Sequence, residues 1–92
     1  MTKTQFYRLL KQLGKKWRVC RDGSIRCGRH CPITAVCREV TGTAYHIDSY
    51  FSAAREMDLA EEDAQDISLA ADNPNYRERP RLLRALGLKE TI

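Results

Sequence analysis

Apolar residues along this chain recur mostly at helical spacing, with one short stretch of a different kind. Phe6, Leu9, Leu10, Leu13 and Trp17 follow i, i+3, i+4, i+7, i+11, and Arg8, Lys11 and Lys15 fall between them. That is the pattern of a helix with one buried stripe and one solvated side. Thr2 and Gln5 have the spacing of a reciprocal N-terminal cap, and Gly14 offers the left-handed residue that ends many helices. From Trp17 to Cys27 the periodicity is lost and β-favouring residues flank Asp22-Gly23. Asp-Gly is a strong hairpin signal, because a type I′ turn needs positive φ at both central residues. Such a turn is expected to set Arg21 opposite Ser24, Cys20 opposite Ile25 and Arg18 opposite Cys27. Cys20, Ile25 and Cys27 then share one face, with Trp17 and Val19 on the other.

Helical spacing resumes with Ile33, Val36, Cys37 and Val40, between Pro32 as a first helical residue and Gly42 as terminator. Tyr45 and Ile47 alternate with His46 in a short connector. Asp48 or Ser49 is placed to cap a third helix, buried through Tyr50 or Phe51, Ala54 and Met57. A fourth helix starts near Ala60, with Glu61, Glu62 and Asp63 in the first turn, where the helix dipole favours anions. It turns Ala64, Ile67 and Ala71 inward and stops at Asn73-Pro74. Pro80 opens a last helix with Leu82, Leu83 and Leu86, ended by Gly87 with Leu88 folding back. The expected fold class is mainly α (α+β): about five short helices with one β-hairpin inserted after the first. Ninety-two residues suffice for one modest core, burying roughly two-thirds of the unfolded surface, so a single domain over residues 1–92 is expected.

The net charge of +4 conceals a segregation along the chain. Residues 1–47 carry ten Lys/Arg against two acids, +8; residues 48–76 carry one base against eight acids, −7; residues 77–92 carry five bases against two acids, +3. The expected parts are thus a basic helix-hairpin part (1–47), an acidic helical part (48–76) and a basic C-terminal helix (77–92). Blocks of this kind either create a field that attracts a partner or face each other within the fold and cancel. No stretch approaches the ~18 apolar residues needed to cross a bilayer. Lys and Arg interrupt residues 1–17, which lack the apolar centre of a secretory signal. A cytoplasmic location with no membrane partner is the corresponding expectation.

Three constellations invite a chemical assignment. Cys20, Cys27, Cys31 and Cys37, with His30 and His46, are zinc-type ligands, yet their C-x6-C-x3-C-x5-C spacing lacks the tight pairs of zinc ribbons and fingers. No metal and no cofactor is therefore assigned, and a zinc-stapled module stands as an alternative. Cys31, just before the helix opened by Pro32 and beside His30 and Arg29, is a candidate low-pKa thiol, with an inert helix-capping cysteine as the competing assignment. Residues 52–67 have the outline of a helix-turn-helix, but Asp58 occupies the turn and the second helix opens with acids that phosphate would repel. A phosphate-binding glycine loop, H-E-x-x-H and a nucleophile elbow are absent from the sequence, and an enzymatic role is not expected.

The basic half carries the better-supported site. Lys15, Lys16, Arg18, Arg21, Arg26 and Arg29 gather on the hairpin and its flanks, dense enough to contact several phosphates, with arginine suited to their geometry. Trp17 is the one aromatic nearby, so no stacking platform for single strands is expected. The alternative, from another class, is a protein–protein inhibitor or adaptor using the acidic helix 60–72, with Glu61, Glu62, Asp63 and Asp66 meeting a basic protein partner.

The run Trp17-Arg-Val-x-x-Asp22-Gly23-x-Ile25-Arg26-Cys27-x-x-x-Cys31-Pro32-Ile-Thr-Ala-Val36, with Ala70-Ala71-Asp72-Asn73 and Arg81-Leu-Leu-Arg-Ala-Leu-Gly-Leu88 downstream, resembles small phage and prophage proteins of undefined role. The resemblance implies a mobile-element accessory protein that acts by stoichiometric binding in a bacterial host cytoplasm, inhibitors of bacterial defence systems being among such proteins. It transfers no functional residues. The expected function is a non-enzymatic phage-type protein whose basic helix-hairpin region contacts nucleic acid or a nucleoprotein.

Overall fold

The computed structural model of the chain describes residues 1–28, 30–42 and 50–88. Arg29, His46 and the expected cap at Asp48 or Ser49 lie outside the described residues. The described residues form five helices, α1 (Lys3–Gln12), α2 (Pro32–Thr41), α3 (Tyr50–Glu56), α4 (Glu61–Asp72) and α5 (Arg79–Leu86), with a hairpin of β1 (Arg18–Val19) and β2 (Ile25–Arg26) after α1. The class is mainly α with one small antiparallel hairpin, as the periodicity predicts.

Local signals explain most boundaries. Thr2 and Gln5 form the reciprocal cap of α1, Thr2 Oγ1 accepting from the Gln5 N–H (3.1 Å) and Gln5 Oε1 from the Thr2 N–H (2.7 Å). Pro32 opens α2, and Gly42 closes it at φ +67°. At the end of α5, Gly87 (φ +71°) donates to Arg84 O and Leu88 to Leu83 O, the paired bonds of a Schellman motif. The same motif ends α3, with Asp58 at φ +54° in the left-handed position: its N–H bonds Arg55 O and that of Leu59 bonds Ala54 O. An αα-hairpin with a Schellman turn is thus what the helix-turn-helix outline becomes.

One core joins all the helices and the hairpin. Phe6 and Leu10 of α1, Ile33, Val36 and Cys37 of α2, Ile67 of α4, Leu82 of α5 and Ile25 of β2 are essentially inaccessible. Ala53, Ala54, Ala64, Ala70 and Ala71 are also buried and lie where α3 and α4 pack on each other and on α2, small side chains that let the backbones approach closely. Tyr7 joins the core as well, although it lies off the apolar stripe read from the sequence. Trp17 is buried beyond the end of α1, which stops at Gln12. Val40 and Phe51, assigned to buried stripes by spacing, are exposed.

Two features depart from the sequence expectation in a way that matters for the surface. The hairpin register is Arg18↔Arg26 and Val19↔Ile25, one residue off the expected pairing. Its loop has three residues: Gly23 N–H bonds Cys20 O (2.9 Å), Cys20 N–H bonds Ser24 O (2.7 Å), and only Gly23 has positive φ. Asp22 stays right-handed because its carboxylate accepts from both the N–H (3.0 Å) and the hydroxyl (2.6 Å) of Ser24, an Asx turn that a type I′ geometry would break. Val19 therefore shares the face of Ile25, and the two arginines stand directly opposite each other on the other face. Second, Arg79, placed in the linker before Pro80 by the sequence pattern, is only 5% exposed. Its Nη1 donates to Ala70 O (2.9 Å) and Ala71 O (3.2 Å), the carbonyl end of α4. Burial pulls the guanidinium pKa down, and these carbonyls with the negative end of the helix dipole make the cation tolerable there.

The hairpin tip rests on the turn after α4. A Cβ at Gly23 would press into the Pro74 ring, 2.9 Å from Cδ and nearer still to Cγ, at a backbone φ of +88°. Gly23→Ala is expected to cost roughly 2–3 kcal/mol from left-handed strain and overlap together, lowering Tm by about 10 °C or more in a thermal melt. Adding Pro74→Ala should recover part of that loss; simple addition of the two single effects would contradict the contact.

Candidate nucleic-acid interface

Four of the six cations expected at the interface lie on one continuous stretch. Lys15 and Lys16 follow the left-handed Gly14, Arg18 is on β1 and Arg21 is in the hairpin loop, and all four side chains are exposed. None of the four has a carboxylate within salt-bridge distance among the described residues. Arg26 is half-buried on β2, where its Nη2 bonds Asp72 Oδ1 at 3.0 Å. This pair fixes the hairpin to α4 and relieves the repulsion between Arg26 and its cross-strand partner Arg18. Arg29 lies outside the described residues.

The structure adds two cations beside Lys15. Lys11, exposed on the last turn of α1, lines a groove with Lys15, which lies past the end of that helix. Arg84 reaches the same region from α5, which no local pattern predicts because only the packing of α1 against α5 brings it there. Lys11, Lys15 and Arg84 line a groove of about 320 Å³ whose other walls include Leu10, Trp17 and Leu86.

The acidic block is arranged differently. Asp66 accepts from Tyr76 Oη (2.5 Å), Lys3 Nζ (3.2 Å) and Arg77 Nη2 (3.4 Å). Glu78 accepts from Tyr7 Oη (3.1 Å) and pairs with Lys3 Nζ (3.5 Å) and Arg81 Nη1 (3.6 Å). Lys3 also lies 4.0 Å from Asp63. The Asp66 and Glu78 side chains are mostly covered, so these are screened less than surface pairs. Of the four acids expected to meet a protein partner, Glu61 and Glu62 are exposed, whereas Asp63 and Asp66 face this internal network. Among the described residues, acidic and basic blocks thus cancel in part, at the N-terminus of α1 and at Arg26, and not along residues 15–21.

Among the described residues the cysteines do not converge with other ligands. All four thiols are free, and among the described residues no group of three or more His, Cys, Asp or Glu side chains is placed to hold a metal ion. Cys37 is buried in the core, which pushes its thiol pKa up. Cys31 precedes α2, its Sγ 3.2 Å from Thr34 Oγ1 and making no hydrogen bond to the backbone of that helix. Arg38 Nη1 donates to His30 Nε2 at 2.7 Å. His46 lies outside the described residues. No helix among the described residues is long and apolar enough to cross a membrane. Compared with protein families, with curated proteins and with solved structures, the chain matches none.

The Asp66 network has a pH signature. The Tyr76 hydroxyl first, then Lys3 and Arg77, hold the Asp66 carboxyl below its usual range. A depressed carboxyl contributes stability above the unfolded-state value, ~3.9, and that stability is lost as pH falls through the folded value. Asp66→Asn is therefore expected to melt below wild type at pH 7, with a gap that narrows as pH is lowered from 5 toward 2. A gap independent of pH in melts across that range would contradict the assignment.

Proposed function

We propose that this chain is a non-enzymatic binding protein of the phage accessory kind, acting stoichiometrically through its basic face on nucleic acid or a nucleoprotein. One observation carries the proposal: Lys15, Lys16, Arg18 and Arg21 are exposed without ion-pair partners among the described residues, while Asp63, Asp66, Asp72 and Glu78 pair elsewhere. A fold that merely solvated its charges would gain from distributing those acids among those bases. Uncompensated cations on a short stretch attract polyanions at long range and displace their counterions on contact.

Binding of this type is electrostatic and weakly selective for sequence. Each neutralised phosphate contributes about −0.9 to the slope of log K against log salt for duplex DNA. Four contacts thus predict a slope near −3.6 and a roughly hundredfold loss of affinity between 50 and 200 mM salt. Replacing Lys15, Lys16, Arg18 and Arg21 by Ala should remove most of that slope in a fluorescence titration of a labelled duplex. Absence of binding at low salt, or binding indifferent to salt, would overturn the proposal.

A second reading, an adaptor or inhibitor that meets a basic protein, draws support from Glu61 and Glu62, which stay outward at the start of α4. Glu61→Gln with Glu62→Gln is expected to abolish capture of that partner from a nuclease-treated bacterial lysate while lowering the melting temperature by no more than the loss of two favourable charges at the start of α4, about 0.3–1 kcal/mol each. Undiminished capture by the double variant would exclude it. Asp66 does not serve in such a test, because its reversal would strike the internal network.

A further inference from the structure

We infer that a backbone phosphate of the bound nucleic acid seats in the groove between the C-terminal ends of α1 and α5, held by Lys11, Lys15 and Arg84. This rests on the nucleic-acid reading above and assigns the contact to a place that the hairpin cations alone do not define. α1 ends at Gln12 and α5 at Leu86, and the left-handed Gly14 and Gly87 that follow them both line the groove. Each helix C-terminus acts as about half a negative charge, so the two together present about one. Among the described residues three cations and no carboxylate line the groove, and none of the three cations has an ion pair. Compensation of the helix ends accounts for about one of those charges and leaves a surplus of about two. That surplus matches one or two phosphodiester groups.

The neighbouring contacts explain how Arg84 arrives there. Arg81, one turn earlier, lies over the Tyr7 ring at 4.7 Å, donates to Thr4 Oγ1 at 3.3 Å and pairs with Glu78. It is committed to holding α5 along α1, and Arg84 is the next residue on that side of α5. The floor argues for a small polar anion rather than the apolar anchor of an acidic peptide, because Leu10 and Trp17 are only 1% and 8% exposed. Lys15, shared by the groove and the run toward the hairpin, would then carry the strand from the groove to Lys16 and Arg18.

The test is anisotropy of a labelled 15-base-pair DNA duplex over a salt series, with Lys11→Gln, Arg84→Gln and, as a control, Arg55→Gln on the exposed side of α3. Each groove variant should lower the magnitude of the salt slope by about 0.9 and weaken unrelated duplex sequences equally, while the control keeps the wild-type slope. Inorganic pyrophosphate should compete with the duplex for wild-type protein, and less well for either groove variant. Wild-type slopes in both groove variants would overturn the inference and leave the nucleic-acid reading standing, the contact then belonging to residues 15–21. A lowered melting temperature with an unchanged slope would reduce the three cations to helix-end compensation, also overturning it. If wild-type protein does not bind the duplex at 20 mM salt, or binds polyglutamate in its place, both the reading and the inference fall.

Discussion

Asp66 is the point on which the arrangement of charge in this fold depends. A single carboxylate gathers Lys3 from the first turn of α1 and Tyr76 and Arg77 from the turn after α4. Glu78 repeats the device one step further, joining Tyr7 and Lys3 to Arg81. Lys3 is shared, so α1, α4 and α5 meet along one polar edge. Burial together with the adjacent Glu78 charge drives the Tyr7 hydroxyl pKa upward, keeping it a donor to Glu78. In such a partly covered setting, removing one member leaves the others facing groups that no longer satisfy them, which is why networks of this kind hold geometry better than isolated surface pairs do.

The same edge decides how charge is left over. Asp63, Asp66 and Asp72, three of the acids in the −7 block, are spent on Lys3 at the start of the first basic segment, Arg77 at the start of the last, and Arg26 on the second strand of the hairpin. Lys11, Lys15, Lys16, Arg18 and Arg21 receive none of this compensation among the described residues. The choice between cancelling blocks and a polarised surface, which sequence leaves open, resolves into both among the described residues: cancellation at Lys3, Arg26 and Arg77, uncompensated charge at Lys11, Lys15, Lys16, Arg18 and Arg21.

Local chemistry was legible in the chain and long-range placement was not. The Thr2–Gln5 cap, Pro32, Gly42 and Gly87 mark helix ends by interactions confined to a few residues, and the structure honours each of them. The hairpin was legible as a hairpin but not in register, because Asp22 has two competing uses: a left-handed turn residue, or an Asx acceptor for Ser24 with Gly23 alone left-handed. The second satisfies two donors and wins. Arg79 and Arg84 were opaque for the opposite reason. Nothing near them in sequence says that one is drawn into the core by the carbonyl end of α4, or that the other is carried to Lys11 and Lys15 by helix packing. Lys11, by contrast, is visible in the sequence on the solvated side of α1; that Arg84 shares a groove with it is set by helix packing.

The corrected register sharpens the case for a binding surface. Two arginines directly across an antiparallel pair destabilise it, and the Asx turn that sets the pairing leaves Arg18 and Arg26 no other relation. Asp72 relieves Arg26 and nothing among the described residues relieves Arg18. Stability alone would be served by a neutral residue at position 18, and also by fewer cations at two helix ends that need about one. A chain that keeps repulsive charge where its own fold does not use it gains stability whenever a polyanion supplies the missing partner, since a ligand that binds the folded state shifts the folding equilibrium toward it. Under the proposed function, relief of the Arg18–Arg26 repulsion would add to the counterion release that drives association.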